Sequence, residues 1–167
     1  EQIKYMIMEK FIYKLGYEVF SELKSIFKVV APSAKIVILN DKEDMVVLVR
    51  HQYKGKDLWY LPGGGVLTGE RPDESILREV HEEININIST PVLNGIYRSS
   101  MDKKSIIFLF YCYSKDNLVS KIKDSEIEET RFFKINEPPD NLSPGTKNKI
   151  NDVILRRAGK KESAGNI

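Results

Sequence analysis

Apolar residues between 3 and 28 recur at Ile12, Leu15, Val19, Leu23 and Ile26/Phe27. A repeat every three or four residues is the period of an amphipathic helix with one buried face. It should stop near Ala31-Pro32, because proline disfavours helix in the residue before it. Two β-branched runs follow, Ile36–Leu39 and Met45–Val49, separated by a polar Asn40–Asp44, and together they predict a hairpin. The PGGG of residues 62–65 ends any strand running through Leu58–Leu61. Beyond it, Pro72 suits a first helical turn, and Asp73 and Glu74 suit the positive end of a helix. Ile76, Val80 and Ile84, with Leu77 beside them, continue a helical stripe. Further strands are expected near Pro91–Tyr97, Ser105–Tyr113 and Thr130–Ile135, and a last helix near Pro144–Arg157. The tail, residues 158–167, has no apolar period and should be disordered.

The alternation of strands and helices without repeats or a long linker predicts a mixed α/β core. A length of 167 residues suits one domain with little to spare. Twenty-six basic against 24 acidic residues leave a net charge of +2, too little to argue for a nucleic-acid or membrane-surface protein. The sequence carries no long apolar span of membrane length and no secretory signal, and its one cysteine, Cys112, lies in the apolar run IIFLFYCY. A soluble, cytoplasmic protein is expected.

One helix is chemically odd. Glu79, Glu82 and Glu83 fall at i, i+3 and i+4, so three like charges share a face and should repel. The stripe Ile76–Val80–Ile84 lies on another face and can anchor the helix. Taken alone, such a cluster is usually a solvated surface. Here it follows LPGGGVLTGE, whose side-chain-free Gly63–Gly65 lets backbone approach a ligand closely. A hard divalent cation with oxygen ligands would offset the repulsion; Cys/His spacing for zinc is lacking.

The segment Gly64–Ile86 resembles the Nudix box, G-x5-E-x7-R-E-U-x-E-E-x-G-U with U aliphatic. Gly64, Glu70, Arg78, Glu79, Glu82 and Glu83 fall on its fixed letters, and Val80 and Ile86 on its aliphatic ones. Asn85 replaces the glycine that closes the helix in a left-handed conformation, where asparagine is the next-best residue. The resemblance implies a Nudix fold, a mixed β-sheet sandwiched between helices, over residues 33–157. The additional N-terminal helix, in residues 1–32, would pack on that domain or across a homodimer.

It further implies hydrolysis of a nucleoside diphosphate linked to another group. Glu79, Glu82, Glu83 and the Gly63 carbonyl would hold Mg²⁺, with Mn²⁺ as an alternative. Arg78 would hold the carboxylates in place, and Gly64, Gly65 and Glu70 would shape the loop. Glu79 is the expected base, with Glu126, in DSEIEETRFF, chosen over Glu128 or Glu129 as an acidic partner from outside the box. Arg50, Tyr53, Trp59 and Arg98 are candidate substrate contacts. For Trp59, Tyr60 and Tyr53, core packing and base stacking weigh equally. His51 reads as a strand-end polar residue and His81 as a surface residue. A small nucleotide derivative fits the charge balance better than long nucleic acid. The competing function is a nucleotide-binding module on the same fold, which the complete set of box glutamates argues against.

Overall fold

The computed structural model describes residues 15, 16, 19, 31–52, 57–86, 88–99, 105–114 and 126–164. Six strands form one mixed sheet: β1 (Pro32–Leu39), β2 (Met45–His51), β3 (Trp59–Tyr60), β4 (Val92–Arg98), β5 (Ile106–Tyr113) and β6 (Ile127–Lys134). Their order is β3-β2-β1-β5-β4, with β6 also paired to β2. The pairing of β1 with β5 is parallel over eight residue pairs, Pro32–Ile106 to Leu39–Tyr113, and every other pairing between named strands is antiparallel. Two helices complete the described fold, α1 (Pro72–Glu83) and α2 (Thr146–Ala164).

Period-2 alternation along β1 distributes its side chains to two cores. Ala34, Ile36 and Ile38 pack with Val47, Val49, Phe110 and the α1 stripe Ile76, Val80 and Ile84. Val37 and Leu39 pack on the other side with Leu48, Leu109 and the α2 residues Ile150 and Val153. The sheet is therefore sandwiched between the two helices. Full burial of Ile76 and Ile84 contributes about 1.5–3 kcal/mol for each side chain, enough to fix α1 on the sheet.

The hairpin takes an unexpected form. β1 and β2 are antiparallel, yet their register is a single pair, Leu39–Val46. The remaining β1 edge is taken by the glycine loop. Ala34 N–H donates to the Gly64 carbonyl (3.0 Å), Ile36 N–H to Pro62 (3.1 Å), and Val66 N–H to Pro32 (3.1 Å). A proline-glycine run would be a poor central strand. Here it is held along β1 as an irregular strand, by backbone bonds.

Helix α1 begins at Pro72, with Glu74 accepting the Arg71 amide at 3.0 Å. It ends as the box resemblance implies: Asn85 has φ +47° and its amide bonds back to the Val80 carbonyl at 2.9 Å. Asparagine tolerates this left-handed closure better than any residue but glycine. The other strands lie within a few residues of their expected positions. Helix α2 runs to Ala164, seven residues past the expected end at Arg157. The N-terminal amphipathic helix lies outside the described residues except for Leu15, Gly16 and Val19, which are helical.

Candidate active site

The loop and helix of residues 62–86 are joined by one guanidinium. Arg78 donates through Nε to Glu70 Oε1 (2.8 Å) and through Nη2 to Glu70 Oε2 (3.1 Å). Its Nη1 reaches both Glu79 Oε1 (2.8 Å) and Glu82 Oε2 (2.9 Å). Nη2 also meets the Gly65 carbonyl at 3.2 Å and the buried Ser75 hydroxyl at 3.4 Å. A planar fork with five fixed donors can bind three carboxylates in this way; an ammonium could not. The crowded glutamates are thus separated by an internal cation before any ligand is added.

Glu83 leaves this face. It is buried, with Oε2 accepting the Gly63 amide at 2.8 Å and Oε1 lying 4.0 Å from His51 Nε2. His51 is itself buried, edge-on to Tyr60 with ring centroids 5.4 Å apart. Gly63 and Gly64 have reasons to lack side chains. Gly63 has φ +114°, and a Cβ there would lie 2.3 Å from the Ala34 carbonyl oxygen. At Gly64 a Cβ would lie 2.5 Å from Glu79 Oε1, so the missing methyl is the seat of the Glu79 carboxylate. Gly65 has open space.

Burial raises the pKa of Glu79, against the pull of Arg78 and Lys35. A carboxylate raised in this way keeps affinity for a proton, a useful property in a base. Glu70 goes the other way. Its bonds from Arg78, then from the Leu67 amide, lower its pKa from 4.5 to about 2. Because the folded value is depressed, the stabilisation is complete above the ordinary carboxylate pKa and disappears as pH falls through about 2. Glu70→Gln is therefore expected to melt at a lower temperature than the native chain at pH 7. The gap should narrow steadily as the pH drops from 4.5 to about 2. Thermal unfolding across that range checks it; a gap independent of pH would remove the charge from the explanation.

The donor set fits a hard cation by its chemistry, since every group is oxygen. Glu79 Oε2 and Glu82 Oε1 make no hydrogen bond among the described residues and remain open as ligands. Among those residues no three acidic, His or Cys side chains already converge as a metal cluster. Arg78 stands between Glu79 and Glu82, and Glu83 is turned toward Gly63.

The outlying candidates divide. Pairing of β2 with β6 brings Glu126 to this end of the sheet: its carbonyl accepts the Gln52 amide (2.9 Å), one residue from His51. Glu128 and Glu129 instead pair with Arg50, at 3.5 and 2.9 Å, so Arg50 is already engaged. Trp59 is buried in the α2-side core against Phe133, with Arg50 and Arg131 over its ring. Packing, not base stacking, describes Trp59. Arg98 is exposed at the end of β4, separated from the glycine loop by β5 and β1. Tyr53 lies outside the described residues. His81 is exposed in the last turn of α1.

Sequence reasoning passed over Ser75, which ties α1 to the Gly65 carbonyl (3.2 Å), and Lys35, whose ammonium donates to the Gly63 carbonyl. The available signal for Lys35 was a lone charge in the apolar strand PSAKIVIL.

Residues 30–156 match the family model of the NUDIX domain. The chain belongs to that family. Among curated NUDIX relatives, it is 32% identical over 78 residues to the Mus musculus diphosphoinositol polyphosphate phosphohydrolase 3-alpha, covering 47% of each chain. It is 28% identical over 116 residues to an ADP-ribose pyrophosphatase of Methanocaldococcus jannaschii, covering 65% of each. The chain spans about half the length of the first of these relatives. A solved UDP-X diphosphatase superposes with a TM-score of 0.65 at 27% identity, covering 86% of this chain and 72% of that one. Among the described residues no helix is long and apolar enough to cross a membrane.

Proposed function

We propose that this NUDIX protein hydrolyses the pyrophosphate linkage of a small nucleoside diphosphate derivative: a nucleotide sugar, ADP-ribose or a nucleoside triphosphate. The observation carrying the reading is the Arg78 network, which holds Glu79 and Glu82 beside a glycine loop whose Gly63 amide holds Glu83. Relatives named as a UDP-X diphosphatase and an ADP-ribose pyrophosphatase support the substrate class.

Glu79, Glu82 and Glu83, with the Gly63 carbonyl, would hold Mg²⁺ or Mn²⁺. Such an ion supplies charge neutralisation at the phosphates and a more acidic water. The chain's own residues do the rest. Arg78 sets the spacing of Glu79 and Glu82, so a ligand meets them already oriented. Glu79, with its raised proton affinity, accepts a proton from the attacking water, and Glu126 is the acidic group assigned to assist from outside the helix. The catalytic unit is residues 33–157, a range supported by the family match at 30–156. Cys112, a buried free thiol with its pKa pushed up to about 12 by burial, supports a cytoplasmic setting.

A panel of nucleotide sugars, ADP-ribose, dinucleotides and nucleoside triphosphates, assayed with Mg²⁺ and with Mn²⁺, tests the proposal. Release of a nucleoside monophosphate from at least one compound, lost on chelation with EDTA, is the expected result. Absence of turnover with either metal would overturn it.

A further inference from the structure

We infer that the N-terminal amphipathic segment, residues 12–27, docks beside α1 on the α1-side face of β5 and β4 in its own chain. The inference concerns how the domain is completed and holds whichever substrate the site takes.

The floor of the docking surface follows from register. Ala34 and Ile36 of β1 and Phe110 of β5 belong to the α1-side core. Residues paired across strands share a face. The α1 side therefore carries three rows: Pro32–Ile106–Arg98, Ala34–Phe108–Ile96 and Ile36–Phe110–Leu93. At the β1 end of these rows Ala34 and Ile36 are fully buried under the α1 stripe. Toward β4 the cover gives out. Ile106 is 39% exposed, Leu93 48% and Ile96 62%.

Helix α1 supplies a wall to this floor. Its stripe packs on β1, which has β2 on one side and β5 on the other. Glu83 points to the β2 side, where it meets Gly63 and His51. Leu77 is six residues from Glu83, which places it about 120° round the helix, across the buried stripe. It therefore points to the β5 side, and it is 48% exposed. Leu77, Leu93, Ile96 and Ile106 form an apolar corner between a helix and a sheet. A second helix laid beside α1, at the usual spacing of about 8–10 Å, fits that corner.

The chain carries a matching segment. Ile12, Leu15, Val19, Leu23 and Ile26 repeat at helical spacing, while Lys14, Glu18 and Ser21 fall on the opposite face. Leu15 and Val19, one turn apart, are helical and about half exposed. The segment also ends in the right place. Only residues 28–31 separate Phe27 from Pro32, which pairs with Ile106 in the first row. Four residues reach about 13 Å when extended, and β4 lies two strand spacings, about 10 Å, from β1. Residues 12–27 as a helix would measure about 24 Å, more than the roughly 14 Å from the first row to the third. So short a tether gives a local concentration on the order of millimolar, which favours this segment over a second copy of the chain.

Hydrogen exchange on the full chain, read by mass spectrometry, tests the docking. An isolated helix of this length is marginal in water, so slow exchange over residues 12–27 reports contact with the domain. Ile96→Glu and Leu77→Glu each place a charge in the corner at an exposed position, and Leu155→Glu, exposed on α2, is the control. Either corner variant is expected to speed exchange over residues 12–27 by about tenfold or more, and the control to leave it unchanged. A second arm pairs Leu15→Cys, Val19→Cys or Leu23→Cys with Ile96→Cys and treats the chain with a short bis-maleimide at micromolar concentration. At least one pair should link within a single chain, and none should when Leu155→Cys replaces Ile96→Cys.

Fast exchange throughout residues 12–27 of the native chain would overturn the inference. Equal protection in the native chain and both corner variants would do the same. A link found only between two chains, in a sample that light scattering shows to be dimeric, assigns the corner to a second copy and also overturns it. Circular dichroism excludes unfolding; should a glutamate variant fail to fold, the cross-links carry the decision.

Discussion

Glu83→Gln is expected to lower Mg²⁺-dependent turnover by about a thousandfold or more, because a metal-binding carboxylate supplies several kcal/mol of transition-state stabilisation. The fold should survive. Glutamine is isosteric, its amide oxygen can still accept the Gly63 N–H now held at 2.8 Å, and a neutral amide is cheaper to bury than a carboxylate. Glu82→Gln should have a similar effect on turnover for a different local reason. Glu82 is half-exposed, and the substitution leaves one acceptor for Arg78. Initial rates against Mg²⁺ concentration, with far-ultraviolet circular dichroism for the fold, check both. Full turnover in the two variants would sink the assignment of the cation to this helix.

The largest effect on stability is expected at Gly63. Gly63→Ala combines a backbone at φ +114° with a methyl 2.3 Å from the Ala34 oxygen and 2.8 Å from Ile76 Cδ1. Neither neighbour is a flexible side-chain end, since one is backbone and the other belongs to the buried stripe. A cost of about 3 kcal/mol or more follows from adding backbone strain to overlap. Gly65→Ala, two residues away, meets open space and should change stability by about 0.5 kcal/mol or less. Urea unfolding of the pair checks the contrast. Equal midpoints would show that the loop can move off β1 without penalty.

That contrast marks where sequence reading succeeds. Residues 64–86 form one contiguous segment whose spacing encodes both its buried stripe and its carboxylates, so Arg78, Glu79, Glu82 and Glu83 could be named without coordinates. The same spacing could not tell Gly63 and Gly64, which are pressed against other atoms, from Gly65, which is not. For Gly63 that difference depends on the Ala34 carbonyl of β1, and for Gly64 on the Glu79 carboxylate folded back over the loop. His51 and Lys35 were obscure for the same reason. Their partners, Glu83 and the Gly63 carbonyl, are neighbours only after β1, β2 and the loop assemble. Trp59 was ambiguous because an aromatic beside a glycine loop has one composition whether it faces solvent or the core; the Phe133 and arginine contacts decide it. The end of α2 is not legible in AGKKES, which is helical but lacks an apolar period to mark it.

The glycine loop fastens to β1 through main-chain groups of Pro32, Ala34, Ile36, Pro62, Gly64 and Val66. Main-chain docking by itself does not specify the side chains at those positions; Gly64 is fixed separately, because a Cβ there would meet the Glu79 carboxylate. The register of the loop therefore rests on the main chain of β1, with the Lys35 ammonium on the Gly63 carbonyl as an added side-chain tie. A scaffold whose first strand offers the same main-chain register can therefore carry the acid-bearing segment whole, which makes that segment a portable unit for grafting between related scaffolds.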